Sequence, residues 1–167
     1  MRDVSAEEMK SVLDAAVVGR LCVQAIPADY EMLYLGFGDK VALSPGFVEL
    51  SNGQTKRISQ LQPPYEFQTC YSHWWIEKQD EFIGDSENTL SDELTASSMI
   101  GVRATGWKFL KSSWGLRIDF ENQLTWQLLP YAHLRGEDVW RLLDPNGVVW
   151  ILKNDGRMLR KNRNESD

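Results

Sequence analysis

The chain is short of the residues that most often carry chemistry. Among its 167 residues are only two cysteines, Cys22 and Cys70, and two histidines, His73 and His133. The cysteines lie far apart and form no CxxC pair, so they read as two buried thiols in a reducing compartment. Basic charge is also scarce: 18 Lys and Arg against 24 Asp and Glu leave a net charge of -6. A protein that grips phosphates needs the opposite balance, so nucleic acid is not an expected partner. No apolar run approaches the roughly 20 residues that span a bilayer, and no apolar leader precedes the acidic start at Ser5-Ala6-Glu7-Glu8. No membrane partner is therefore expected, and the expected location is the cytoplasm. No Gly-x-Ser-x-Gly elbow occurs, and Gly36-Phe37-Gly38 lies between alternating apolar residues without opening a helix, so it cannot cradle a phosphate.

The remaining candidates for catalysis are weak. His73 precedes Glu77 by four residues, and His133 precedes Glu137 by four. On a strand, where His73 is expected, such positions share a face but stand about 13 Å apart, too far to hold one ion, whereas His133 is expected in a loop after Pro130, where the geometry is open. Cys70 and His73, three apart on a strand, point to opposite faces unless the strand bends there. Asp80-Glu81, Asp85 with Glu87, Asp92-Glu93 and Glu137-Asp138 read as solvated turns or helix starts. No catalytic residue, metal or cofactor is expected.

Aromatic residues are abundant: seven Trp, five Tyr and six Phe. They suit strands and supply large buried areas. The chain also nearly repeats itself. Leu33 to Leu43 reads like Leu116 to Trp126, each with three alternating apolar residues, a polar turn and renewed alternation. Upstream, Val18-Gly19-Arg20 matches Ile100-Gly101-Val102-Arg103; downstream, Phe67 with Trp75-Ile76 matches Trp140 with Trp150-Ile151. The expected architecture is α+β, mainly antiparallel β-sheet, built from two tandem helix-plus-hairpins repeats in a pseudo-twofold relation, with two helices packing on the sheets.

The local signals fill in this plan. Ser5 to Glu8 is a capping box, and Met9, Val12, Leu13, Ala16 and Val17 recur at helical spacing before Gly19, which predicts a helix over 6–18. A strand over 21–26 and a hairpin of 31–37 with 40–44 follow. Residues 44–64 have no counterpart and read as an insertion in which Phe47, Val48 and Leu50 form a short edge strand. Residues 65–77 read as one strand with a bend near Ser72-His73, and the acidic stretch 78–90 reads as a link between the halves. A shorter helix starts at Ser91-Asp92-Glu93-Leu94. Strands over 102–110, 116–120 and 124–128 come next. Asp144-Pro145-Asn146-Gly147 is a hairpin turn between 138–143 and 148–152. The organisation is thus a first repeat over 1–88, a second over 89–155 and a polar tail over 156–167, fraying after about residue 158, in one compact unit.

Trp74-Trp75 is the feature most open to a functional reading. On a strand the two rings face opposite sides, so one of them needs cover from outside the strand's own core face. An aromatic anchor flanked by Tyr71 and His73, with Trp114 at a turn tip and Asp80, Glu81, Asp85 and Glu87 for steering, suits a basic protein partner. A second reading is a small-ligand pocket between the repeats lined by Trp107, Trp126 and Trp140.

The segments Leu116–Leu128, Trp140-Arg141-Leu142 and Val148–Leu152, in a small, acidic, Trp-rich chain, resemble the immunity proteins of bacterial polymorphic toxin systems. The resemblance covers about a third of the chain. It implies a non-enzymatic role: binding a cognate, basic toxin-like domain and blocking its active site. These families carry no fixed site motif, so no individual residue is assigned from them.

Overall fold

The computed structural model describes residues 1–28, 31–39, 47–49, 55–57, 63–87, 92–110 and 114–163, with only the backbone of 47–49, 55–57 and 92–94. The first helix, α1 (Ala6–Val17), forms as its sequence dictates. Ser5 Oγ accepts from the Glu8 amide, and Glu8 Oε2 accepts from the Ser5 amide at 2.9 Å. Its buried face is Met9, Leu13, Ala16 and Val17, and Gly19 turns the chain at φ +76 just beyond its end. The second helix, α2 (Asp92–Ser97), is a turn and a half.

Antiparallel sheet dominates the rest, and the architecture is α+β. A seven-stranded sheet runs β1 (Arg2–Asp3), β14 (Met158–Asn162), β13 (Val148–Lys153), β12 (Asp138–Leu143), β6 (Tyr65–Thr69), β3 (Leu33–Gly38), β2 (Leu21–Pro27). A five-stranded sheet runs β8 (Glu81–Asp85), β7 (Ser72–Lys78), β11 (Leu124–Pro130), β10 (Gly115–Phe120), β9 (Ala104–Leu110). A separate pair joins β4 (Phe47–Glu49) to β5 (Thr55–Arg57).

Alternation decides which residues enter the core. Leu33, Leu35 and Phe37 of β3 are fully buried, as are Leu116 and Ile118 of β10 and Trp126 and Leu128 of β11. The inner faces meet through rings. Phe67 lies edge-on to Trp126, with centroids 5.7 Å apart, and tilted on Trp140 at 5.1 Å; Phe37 stacks on Phe120 at 6.5 Å. The sheets are also laced together at one margin. Cys22 N donates to Val102 O, Gly101 N to Cys22 O and Ala104 N to Arg20 O.

The connections cross between the sheets. After β6 the chain turns at Tyr71, where φ is +40, and β7 joins the other sheet beside β11. After β11 the chain crosses back, and β12 pairs with β6. Each sheet is thus completed by strands from the opposite half of the chain.

Several sequence expectations need correction. The strand predicted over 65–77 is two strands in different sheets, broken at Cys70-Tyr71 rather than bent at Ser72-His73. β3 pairs with β2 and β6; its predicted partner 40–44 lies outside the described residues. Glu81–Asp85, read as a link, is strand β8, closed on β7 through Gln79 and Asp80 at φ +55 and +63. Residues 158–162, expected to fray, pair with both β13 and β1 and bury Leu159, because Met158, Arg160 and Asn162 alternate with Leu159 and Lys161. The insertion supplies β4 and β5, and its end returns over the outer face of β3. A Cβ on Gly36 would stand 2.7 Å from Pro63 Cγ, so only glycine admits that crossing.

Candidate functional site

The hairpin of β7 and β8 presents the main exposed aromatic group on the five-stranded sheet. Register fixes what it shows. Trp75 stands opposite Gln127 on one side and Asp85 on the other; Glu77 stands opposite Thr125 and Phe82; His73 stands opposite Leu129. These share the outer face, while Trp74 and Ile76 turn inward. A bulge between Ile76 and Glu77 shifts the pairing with β8.

The outer group is held by short contacts. The His73 and Trp75 rings stack with centroids 5.7 Å apart, and Trp75 Nε1 donates to Glu77 Oε1 at 2.8 Å. His73 Nδ1 lies 2.9 Å from Ser86 Oγ and 3.8 Å from Glu87 Oε1. Beside them Phe82 is 62% exposed and Ile83 39%. Among the described residues no strand pairs with the outer edge of β8. Residues 77–87 carry Glu77, Asp80, Glu81, Asp85 and Glu87 against the single cation Lys78, a local charge of -4.

The residues singled out from the sequence divide into five groups. His73, Asp85 and Glu87 gather around Trp75. Asp80 and Glu81 sit at the hairpin tip, and Tyr71, 54% exposed, lies at the opposite end of β7. Trp74 is not an exposed anchor: it is 1% exposed, and its Nε1 donates to Glu31 O at 2.9 Å. Period two accounts for this, since Trp74 shares its face with Ile76 whereas Trp75 shares its face with His73 and Glu77. Trp114 keeps 42% of its surface but leans on the β13–β14 turn, where a Cβ on Gly156 would collide with its ring.

Of the Trp74-Trp75 pair it is Trp75 that reaches the outer face, and Phe82 and Ile83 beside it are not singled out by the sequence. The signal was present: Glu81-Phe82-Ile83-Gly84-Asp85 is a short apolar run behind a two-residue turn. Its carboxylates made it read as a linker.

The pocket expected between the repeats fares differently. Trp126 and Trp140 are fully buried and both touch Phe67, so ring-on-ring packing fills the space between them. Trp107 is half-buried elsewhere, its Nε1 donating to Asp14 Oδ1 at 2.9 Å. Both thiols are buried, and burial pushes Cys22 up to about 12 and Cys70 up to about 11, far from a reactive thiolate. Among the described residues no three His, Cys, Asp or Glu side chains are grouped to hold a metal ion, and no helix is long and apolar enough to cross a membrane.

No protein-family model, curated protein or solved structure matches the chain.

Proposed function

We propose that the protein is a non-catalytic binding module whose partner is a basic protein domain, in the manner of an immunity protein that covers a toxin. The observation that carries this reading is the exposed Phe82 and Ile83 on an end strand, set among five carboxylates. Large apolar side chains in such numbers are unusual on a terminal strand, where charge normally discourages contact. Here both occur together. The carboxylates would steer a cationic partner, and Phe82 with the Trp75–His73 stack would supply the buried anchor.

The test is titration of the purified chain with the protein encoded by the adjacent reading frame. The expected result is a nanomolar complex whose association slows steeply with added salt. Absence of binding at micromolar concentration would refute the reading.

We further infer that the two halves descend from one duplicated module related by a pseudo-twofold axis. Several features support this. The order helix, three meandering strands, crossing strand is the same in α1-β2-β3-β6-β7 and α2-β9-β10-β11-β12. Leu35 faces Phe67 as Ile118 faces Trp126, and the partners Phe67 and Trp126 touch each other. Gly19 and Gly101 both have positive φ. By register the matching pairs are Phe67 with Trp126 and Trp74 with Trp140, in place of the Phe67–Trp140 match read from the sequence. A superposition of 33–37 on 116–120 that failed to carry β6 onto β11 would remove this inference.

A further inference from the structure

We propose that the partner docks by strand addition: an extended, cationic segment pairs with the open edge of β8 and continues the five-stranded sheet. This rests on the reading of the β7–β8 hairpin as the docking surface, and it states the shape and chemistry of what docks there.

The backbone of β8 is set for such pairing. Among the described residues β8 is an end strand, hydrogen-bonded to β7 alone. Ser86 N donates to Trp74 O at 2.9 Å, which makes Ser86 and Trp74 a hydrogen-bonded pair. By alternation Asp85, opposite Trp75, turns its own amide and carbonyl away from β7 to the open edge. The bulge leaves Ile83 with no residue opposite it on β7. Glu81, Phe82 and Ile83 are all exposed, three in succession, which a strand covered on one face does not allow. Helix α2 packs further along, over Gly84, where a Cβ would stand 2.5 Å from Thr95 Oγ1.

Charge decides the occupant. End strands are commonly blunted with Lys or Pro, and Glu81-Phe82-Ile83-Gly84-Asp85 contains neither. Its carboxylates act against one partner, a second copy of this chain. In the symmetric antiparallel pairing about Ile83, Glu81 of each copy would stand opposite Asp85 of the other, and like charges so placed repel. A strand with Lys or Arg at those two positions turns both repulsions into attractions.

The carboxylates are open to such a strand. Among the described residues none of Glu77, Asp80, Glu81, Asp85 and Glu87 is ion-paired with Lys or Arg, and Glu87 meets only His73, at 3.8 Å. Glu77 Oε1 accepts from Trp75 Nε1 and Asp85 Oδ1 from Glu87 N at 3.1 Å, both neutral donors. Phe82 and Asp85, opposite Glu77 and Trp75, share the outer face. The added strand therefore suits an apolar side chain beside Phe82 and a cation beside Asp85.

The test is calorimetric titration of the chain with a capped peptide of about eight residues that alternates Lys with Val and Thr. A second peptide of equal charge carries Pro at two of the Val or Thr positions, which removes backbone donors and leaves the cations. The first peptide is expected to bind and the second at least tenfold more weakly. Glu81→Lys is expected to weaken the first by about threefold, the effect of an exposed ion pair. Amide shift changes are expected to centre on residues 81–85. No binding at millimolar peptide, equal binding of the two peptides, or shift changes away from β8 would overturn the proposal. The docking surface itself is tested apart, with the protein encoded by the adjacent reading frame. Binding of that protein without binding of the peptide removes strand addition alone; absence of both removes the docking surface with it.

Discussion

Phe67 and Phe82 invite the same substitution with opposite consequences. Phe67 is fully buried and touches Trp126 and Trp140, so its ring joins the two sheets. Replacing a buried Phe by Ala costs about 3–5 kcal/mol through lost burial and the cavity left behind. The two ring contacts, worth about 0.5–1.5 kcal/mol each, place Phe67→Ala in the upper half of that range. For a domain of this size 1 kcal/mol shifts the midpoint by about 2–4 °C, so a fall of about 8–20 °C is expected. Phe82 is 62% exposed, and Phe82→Ala should change stability by no more than about 0.5 kcal/mol. Urea unfolding followed by circular dichroism, with calorimetry for the midpoints, measures both. A Phe82→Ala cost near that of Phe67→Ala would refute the reasoning, because Phe82 would then be part of the core. A cost for Phe67→Ala below about 1.5 kcal/mol would do the same for the packing between the sheets.

The crossing strands and the first helix give two further tests. Since β7 needs β11 and β12 needs β6, fragments 1–88 and 89–167 should unfold cooperatively only when combined as a one-to-one complex; a cooperative transition in 1–88 alone would contradict the strand exchange. Hydrogen bonds from Lys10 and then Trp107 hold the Asp14 carboxyl below its ordinary 3.8. The tie between α1 and β9 is therefore fully present above pH 3.8 and is lost as pH falls through the lower folded-state value. A carboxyl NMR titration should find Asp14 below 3.8, and closer to it in Trp107→Phe; a value at or above 3.8 in the unaltered protein would count against the contact.

How much was legible in the sequence differs between fold and site. The Ser5–Glu8 capping box, the period-two runs of β3, β10 and β11, and the Asp144–Gly147 turn were all readable, because each is a local signal with a local physical cause. The pairing of strands from opposite halves was not, since nothing local tells β6 to stop at Thr69 and β7 to leave for another sheet. Tyr71 adopts its positive φ under the demand of that crossing, and aromatic residues do not announce such a turn. At the site, parity with Ile76 turns Trp74 inward and Trp75 outward, a distinction that the period of two already carries. The acidic character of 78–90 concealed β8, because charge on an end strand looks the same in sequence as charge on a loop.

The most direct test of the proposed surface is the affinity of Phe82→Ala, relative to the unaltered chain, for the product of the adjacent reading frame. With stability preserved, loss of the anchor should weaken the complex by at least about tenfold, the effect of one central aromatic contact. Equal affinity of the two proteins would contradict the claim that the β7–β8 hairpin is where the partner docks.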